Sequence, residues 1–198
     1  MGLTKPKEAM GENSDEVLMG RVAQRDGVAY SCLLTRHLAS ATALAGRMVG
    51  NRADAEEVVQ EAFLRVWKTA PRWRPDGASF RTWFSRVVVN LCIDRHRRPK
   101  PAPLEAAGDP ADGGMLADQQ LAQREEAAAL ARAVALLPPR QRAALALCYW
   151  QEMSNVEAAD VLSLSVGAVE SLLVRARRSL RASLEPQLSP GAAERRKK

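Results

Sequence analysis

The side chains best suited to chemistry in this sequence are arginines gathered near the end of one apolar segment. Arg175, Arg177, Arg178 and Arg181 follow a stretch of small residues that begins at Ser165. A guanidinium presents five N–H donors in a planar fork, which matches the oxygens of a phosphate group. The chemistry that this spacing indicates is therefore the binding of a polyanion.

Groups that catalyse reactions or hold metals are few and scattered. His37 lies at the spacing of a helix core, and His96 lies among arginines. Cys32, Cys92 and Cys148 each lie in an apolar stretch without a Cys-x-x-Cys pair, which predicts buried free thiols and neither a zinc site nor a disulfide framework. Because no nucleophile–base pair and no phosphate loop is recognisable, we expect no enzyme, no metal and no cofactor.

The composition bounds the class of protein. The chain has 198 residues and a formal net charge of +6, with 46% hydrophobic and only 5% aromatic residues. This mixture favours a helical, folded protein, and the basic balance suggests a polyanionic partner. No apolar run is long enough to span a bilayer, and the N-terminus lacks the apolar core of a signal peptide. We therefore expect no membrane insertion and a cytoplasmic location.

Helical spacing of apolar residues runs through the sequence, and no segment alternates like a strand. We predict helices over about 15–24, 27–49, 52–70, 79–98 and 118–136, then one opened by Pro138-Pro139 and two more up to residue 184. The first two helices are expected to bury Val17, Leu18, Leu34 and Leu38 among others. The predicted fold class is all-α.

These helices are predicted to form two small domains, over residues 14–98 and 118–184. The segment 99–117 contains "PKPAPLEAAGDPADGG", which holds four prolines and three glycines and is predicted to be a flexible linker. Its acids Glu105, Asp109 and Asp112 are either a functional feature or merely solvated. Residues 1–13 and the basic tail 185–198 are predicted to be disordered.

The second domain ends in a helix-turn-helix pattern. "NVEAADVL" is a short helix, "SLS" a tight break and "VGAVESLLVRARRSLR" a longer second helix. Ser154 and Glu157 fit a capping box, and Ser163 stands where many such motifs have glycine. Small residues at the front of the second helix let it enter a major groove, and the later arginines reach phosphates. The predicted DNA-facing residues are Ser165, Ala168, Glu170, Ser171, Arg175 and Arg178.

An ordinary amphipathic helix with a solvated basic face is the alternative for this segment. The tight preceding turn and the small front face favour DNA binding. Helix-turn-helix domains serve several functions, so this domain does not define the function by itself.

The third helix of the first domain carries a mixed acidic and apolar stripe. A purely solvated face rarely includes both leucine and tryptophan, so the stripe is typical of a docking surface for a basic partner helix. For the tryptophan, packing back onto the domain core is the open alternative. The stripe consists of Asp54, Glu57, Gln60, Glu61, Leu64 and Trp67.

The fourth helix and the loop before it interleave aromatic and basic residues. This pattern suits single-stranded DNA, because bases stack on rings while arginines hold phosphates. Burial of Trp73 and Trp83 in the core is the alternative, and Ser79 is also a possible N-cap. The predicted single-strand contacts are Arg72, Trp73, Arg74, Ser79, Trp83, Arg86, Asn90, Arg97 and Arg98.

Three segments in this order resemble bacterial sigma factors: "DAEEVVQEAFLRVW", "FRTWFSRVVVNLCIDRHRR" and "LPPRQRAALALCYWQEMSNVEAADVLSLSVGAVESLLVRARRSLR". The two-domain form with a short linker resembles the extracytoplasmic-function (ECF) group of the sigma-70 family, over about Asp15 to Leu184. The resemblance implies a non-enzymatic protein that binds RNA polymerase core and directs it to promoters, with region 2 and region 4 as its two domains. It also implies an anti-sigma factor as regulator.

The resemblance further implies a role for each segment. The helix Asp54–Trp67 would dock on the β′ coiled coil, and region 4 would sit on the β flap. Pro71–Ser79 and Phe80–Arg98 would read the minus-ten element as a melted single strand, with Asn90 near a flipped base. Val166–Arg181 would read the minus-thirty-five element as duplex, and the linker would thread toward the polymerase active centre.

Many relatives carry arginine where Glu170 and Leu172 stand, so the recognised minus-thirty-five sequence does not follow from the resemblance. Two other classes of function compete with the sigma-factor hypothesis. A stand-alone helix-turn-helix regulator explains the second domain and leaves the first without a use. An enzyme acting on nucleic acid lacks any recognisable catalytic cluster.

Overall fold

The computed structural model describes residues 14–74, 78–97 and 117–188, and the regular structure in these ranges is helical. The N-terminal module consists of α1 (Asp15–Ala23), α2 (Gly27–Val49), α3 (Arg52–Thr69), a 3₁₀ turn (Ala70–Arg72) and α4 (Phe80–Arg97). The C-terminal module consists of α5 (Ala117–Ala135), α6 (Pro139–Leu145), a π-helical turn (Ala146–Trp150), α7 (Asn155–Leu162) and α8 (Val166–Leu188). The predicted all-α class is confirmed for these ranges.

The N-terminal module is built around α2, which contacts α1, α3 and α4. Side chains of Ser14, Asp26 and Asn51 cap the N-termini of α1, α2 and α3 by accepting bonds from backbone N–H groups. The centre of the module is aromatic: the rings of Phe80 and Phe84 stack with centroids 5.6 Å apart. These contacts fix the relative positions of α3 and α4.

Two of the residues predicted to be buried on α1 and α2 are exposed. Val17 and Leu38 are 42% and 43% exposed, whereas Leu33 and His37 are buried. In the first half of α2 the buried positions thus lie one residue earlier than expected, whereas Ala41, Leu44 and Met48 further along are buried. His37 Nε2 lies 2.7 Å from Oδ2 of Asp15, so the imidazole is satisfied inside the module.

The C-terminal module begins its DNA-binding motif with the expected cap. The Ser154 hydroxyl accepts from the Glu157 N–H, and the Glu157 carboxylate accepts from the Ser154 N–H, which confirms the capping box. Ser163 ends α7 in the left-handed conformation, with φ 53° and ψ 49°. α8 continues to Leu188, so positions 185–188 of the predicted tail are helical. The predicted linker up to residue 116, the predicted disordered N-terminus 1–13 and positions 189–198 of the tail lie outside the described residues.

Only part of the prediction of buried thiols is correct. Cys92 is buried and Cys148 half-buried, but Cys32 is exposed on the outer side of α2. Its apolar neighbours in sequence bury the opposite side of the helix, which explains the error. Burial raises the pKa of the Cys92 thiol to about 12. None of the described helices has the length and apolar character needed to cross a bilayer.

Candidate protein and nucleic-acid interfaces

The predicted stripe on α3 lies beside α4 and forms one wall of a groove of about 500 Å³. Leu64 is 49% exposed in this groove, which is a high value for a leucine held on a folded helix. Acidic and amide groups surround the leucine on its own helix. The lining consists of Glu57, Val58, Gln60, Glu61, Leu64 and Arg65 from α3 and Leu91, Asp94 and Arg95 from α4.

Arg95 is a functional candidate that the sequence pattern did not indicate. It donates to Asp54 Oδ1 at 2.5 Å and to Glu57 Oε2 at 2.6 Å, so it joins α4 to the acidic stripe. Hydrogen bonds to Asp54 and then Glu57 raise the pKa of this guanidinium. Two of the predicted docking acids are therefore already paired with a cation from the same chain.

Trp67 lies away from the groove. Its ring meets Tyr30 edge-on, with centroids 5.2 Å apart and an interplanar angle of 76°, and the guanidinium of Arg25 lies 5.3 Å from its centre. The tryptophan is half-buried against the core of the N-terminal module. Most of the tryptophan side chain therefore packs back onto the core, as in the alternative that the sequence left open.

The aromatic residues predicted to contact single-stranded DNA come together at the start of α4. The rings of Trp73 and Trp83 lie 6.3 Å apart at 68°, and Phe80 lies between them and the core. Both tryptophans are half-buried, so each has one side in the core and one side available. Exposed Arg72 and Arg74 flank this pair.

The outer face of α4 is only partly free. Asn90 and Arg97 are exposed, while Arg86 is half-buried and donates to the carbonyl oxygen of Asp160 in α7. Ser79 accepts a bond from the Thr82 N–H at 3.2 Å, which makes it the cap of α4. Arg98 lies outside the described residues.

The predicted duplex-reading face lies on α8. Arg175 and Arg178 are exposed, and Ser171 is exposed with its hydroxyl donating to the Gly167 carbonyl at 2.9 Å. Ala168 and Ser171 line a shallow cleft of about 300 Å³ with Arg140 of α6, a further basic residue that was not predicted. The cleft therefore combines small and apolar residues, including Leu164 and Leu172, with the cationic side chains of Arg140 and Arg175.

The remaining predicted residues lie at the front of α8. Ser165 caps the helix, since its hydroxyl accepts from the Ala168 N–H at 3.2 Å. Glu170 is exposed, and its Oε1 lies 3.5 Å from the Asn155 side-chain nitrogen. The start of α8 thus offers small side chains and one exposed carboxylate, that of Glu170, to a ligand.

Two family profiles match the chain. Sigma-70 region 2 matches residues 33–100, and Sigma-70 region 4 matches residues 127–180. The ECF RNA polymerase sigma factor SigM of Mycobacterium tuberculosis (strain ATCC 25618 / H37Rv) is 36% identical over 172 residues, which are 85% of this chain and 84% of SigM. The chain belongs to the ECF sigma factors. This family is not a class of enzymes, and its members bind RNA polymerase core and direct it to promoters.

Other relatives of this ECF sigma factor agree in length and fold. The RNA polymerase sigma factor CnrH of Cupriavidus metallidurans is 35% identical over 185 residues, 88% of this chain and 96% of CnrH. The structure of CnrH in complex with the cytosolic domain of CnrY has a TM-score of 0.64 and 32% identity, covering 86% and 97% of the two chains. RpoE of Bartonella quintana, solved with the anti-sigma factor NepR, shares the fold with a TM-score of 0.60, at 20% identity over 79% of this chain and 96% of RpoE.

These findings confirm the family resemblance, and they do not favour a stand-alone helix-turn-helix regulator. Among the described residues, no three histidine, cysteine or acidic side chains are grouped to hold a metal ion. The geometry instead offers three surfaces: the α3–α4 groove, the aromatic–basic face at the start of α4 and the basic helix α8. Each suits the binding of a macromolecule.

Proposed function

We propose that the α3–α4 groove is where this sigma factor holds the β′ coiled coil of RNA polymerase. Leu64 supplies exposed apolar area at the centre, and Glu57, Gln60 and Glu61 supply acceptors around it. A basic, partly apolar partner helix matches this combination. Asp54 adjoins the groove through its bond with Arg95, and Trp67, which packs against Tyr30 outside the groove, would contact the partner only with its exposed edge.

The aromatic–basic face of α4 is proposed to bind the melted minus-ten strand. The free sides of Trp73 and Trp83 stack on bases, and exposed Arg72 and Arg74 hold adjacent phosphates. Asn90 faces the strand further along the helix. The full proposed set is Arg72, Trp73, Arg74, Ser79, Trp83, Arg86, Asn90, Arg97 and Arg98.

The basic helix α8 is proposed to read the minus-thirty-five element in the major groove, with the C-terminal module seated on the β flap. Ala168 and Ser171 allow a close approach to base edges, and Glu170 accepts from a cytosine amino group. Arg175 and Arg178 bind phosphates on the groove walls. Ser165 presents the N-terminus of the helix to a phosphate.

Regulation by an anti-sigma protein completes the proposal. The relative CnrH is solved bound to the cytosolic domain of CnrY. In this chain, the exposed Leu64 in its acidic groove offers an apolar attachment point for such a partner. We place the protein in the cytoplasm, where RNA polymerase works, and assign it no catalytic reaction of its own.

The α3–α4 groove is the observation that carries the proposal, and two charge reversals on α3 test it. Glu61 lines the groove and pairs with Arg65, while Glu56 lies outside the groove and pairs with Arg52. Both pairs have the same i,i+4 spacing and connect exposed or half-exposed side chains on one helix. Glu61→Lys therefore places a like charge against a basic partner, and Glu56→Lys is the matched control.

The measurement is binding of labelled protein to RNA polymerase core, followed by sequencing of transcripts started in vitro on genomic DNA. Glu61→Lys should weaken core binding by about 10-fold or more, and Glu56→Lys should leave it within about 2-fold. Equal effects of the two reversals would remove the groove from the docking surface. Absence of defined start sites with the wild-type protein would contradict promoter-specific initiation.

A further inference from the structure

The exposed face of α8 contains an apolar side chain that the binding of phosphates does not use. Val174 is 61% exposed, although it lies in the middle of the helix proposed to enter the major groove. A β-branched residue is a poorer helix former than alanine, lysine or arginine, so helix propensity does not favour valine at this position. The two methyl groups of Val174 are thus free for a contact outside the chain.

The spacing of residues on α8 places Val174 on the side of the helix that faces away from the core. The buried side, at most 4% exposed, consists of Val169, Leu173 and Ala176. The opposite stripe has intervals of four, three and four residues, which keep its members on one helical face, and consists of Gly167, Ser171, Val174 and Arg178. Val174 therefore shares its face with two residues proposed to meet DNA, Ser171 and Arg178.

Val174 projects further from the helix than the residues that precede it on this stripe. Gly167 has no side chain, and the Ser171 hydroxyl turns back to donate to the Gly167 carbonyl at 2.9 Å. The rise along the helix from Gly167 to Val174 is about 10.5 Å, which is less than the width of a major groove, about 12 Å. A helix that enters the groove with its first turns therefore brings the Val174 methyl groups to the base edges.

The chemistry of valine selects one kind of group at these base edges. Thymine presents its C5-methyl group in the major groove, whereas the other distinguishing groups there are hydrogen-bond donors and acceptors. The Val174 side chain has neither a donor nor an acceptor, so covering a polar base edge would cost free energy and covering a methyl group would gain it. Its neighbours one turn away on α8 are polar, which limits the apolar contact to a small area: Glu170, Ser171, Arg177 and Arg178.

We propose that Val174 is a specificity-determining residue of this sigma factor and reads a thymine methyl group in the minus-thirty-five element. The inference rests on the function proposed above for α8. Glu170 lies one turn earlier, and Cβ atoms at this spacing are about 6 Å apart. Since base pairs are about 3.4 Å apart, the thymine is expected within about two base pairs of the cytosine that donates to Glu170.

Removal of a single methyl group from the DNA tests this contact without changing the base pairing. Start sites obtained with core polymerase on genomic DNA define a promoter, and each thymine of its minus-thirty-five element is replaced in turn by deoxyuridine. One of these replacements should weaken binding of the complete polymerase about 4-fold, the effect of exposing about one buried CH₂-sized group.

Val174→Ala should make the polymerase insensitive to that same methyl group. The variant should bind the thymine promoter about 4-fold more weakly than the wild type, and uracil should then change its affinity by less than about 1.5-fold. Any effect of uracil on DNA shape is common to both proteins and cancels in this comparison. Alanine is a better helix former than valine, so the variant should keep its fold, which thermal unfolding checks.

Val28→Ala is the matched control. Val28 is 69% exposed on α2, so this substitution removes the same atoms from an exposed helix position in the other module. Polymerase that contains this variant should distinguish thymine from uracil as well as the wild type does.

Two results would overturn the inference and leave the proposed function intact. If no uracil replacement weakened binding by the wild type, the protein would make no methyl contact. If one replacement did, and Val174→Ala lost affinity by the same factor, the contact would belong to another residue. Absence of defined start sites with the wild type would instead contradict the proposed function, and this inference with it.

Discussion

At the scale of single residues, two helix ends adopt the same left-handed backbone with different side chains. Gly50 ends α2 at φ 81°, and Ser163 ends α7 at φ 53°. A left-handed conformation costs an L-residue about 1–2 kcal/mol, and glycine avoids most of this cost. Ser163 therefore introduces backbone strain at the turn of the DNA-binding motif.

Exchange of the two residue types should change stability in opposite directions. We expect Ser163→Gly to raise the free energy of unfolding by about 0.5–1 kcal/mol and Gly50→Ser to lower it by about 1 kcal/mol. A Cβ at Gly50 meets nothing within 4 Å, so backbone strain alone acts there. Urea unfolding followed by circular dichroism measures both. A loss of stability in Ser163→Gly would contradict the strain argument.

The three thiols should react in the order of their exposure. Cys32 is exposed, burial raises the pKa of the Cys148 thiol, and burial raises that of Cys92 to about 12. At pH 8 a thiol reagent should label Cys32 within minutes, Cys148 more slowly and Cys92 only after unfolding, because the thiolate is the reactive form. Mass spectrometry of digested samples assigns the sites. Early labelling of Cys92 would contradict its burial.

The same burial predicts a dependence of stability on pH. The pKa of Cys92 in the folded protein lies above its ordinary value of 9.0. The contribution of this buried thiol to the free energy of unfolding is therefore complete below about pH 9. It should decline as the pH rises toward 12, because the unfolded chain loses the proton first. Cys92→Ala should remove this part of the alkaline slope of the unfolding free energy.

At the scale of elements, two of the four arginines on α8 lie in different surroundings. Arg175 is exposed in the cleft with Ala168 and Ser171, while the Arg177 guanidinium lies 5.7 Å from the centre of the Tyr149 ring in the same module. Arg175→Ala should weaken promoter binding by the complete polymerase and reduce the slope of log affinity against log salt by about 1. Arg177→Ala should change the slope less. Identical salt slopes for the wild type and Arg175→Ala would remove Arg175 from the phosphate contacts.

Local chemistry made most of these elements predictable. Proline at 138 and 139, the reciprocal bonds of Ser154 and Glu157, and the stripe that buries Val58 and Val66 act within one helix, so the sequence contains their signal. Contacts between helices are different. Nothing adjacent in sequence indicates that Arg95 pairs with Asp54 or that His37 meets Asp15, since those partners are chosen by packing. The sequence therefore predicted the α3 wall of the groove and not the wall that α4 contributes.

At the scale of the whole molecule, the contact between the modules was the least predictable feature. The proline-rich segment predicts a linker between two domains, and no sequence signal indicates which helices of the two modules contribute to a common apolar cluster. The residues at the junction look ordinary in sequence: alanines, a glutamine and arginines at helix surfaces. Their role appears only when α4 and α7 lie side by side.

Arg142 should link the stability of the two modules. Burial lowers the pKa of its guanidinium, which reflects the cost of holding this charge inside the protein. Removing the side chain leaves the carbonyls of Ala135 and Leu137 without this donor, while the Met48 carbonyl keeps His96 Nε2 at 2.7 Å, and each unpaired buried acceptor costs about 1 kcal/mol or more. Arg142→Ala should therefore lower the free energy of unfolding by about 2 kcal/mol.

The loss should reach beyond the module that contains the substitution. Because Met48 belongs to α2, hydrogen exchange should quicken at the C-terminal turn of α2 as well as in α5 and α6. Arg140→Ala is the control, since Arg140 is an exposed arginine two residues away on the same helix and should change stability by less than about 0.5 kcal/mol. If exchange in α2 were unchanged in Arg142→Ala, the buried arginine would stabilise only its own module, and the modules would be coupled by the apolar contact alone.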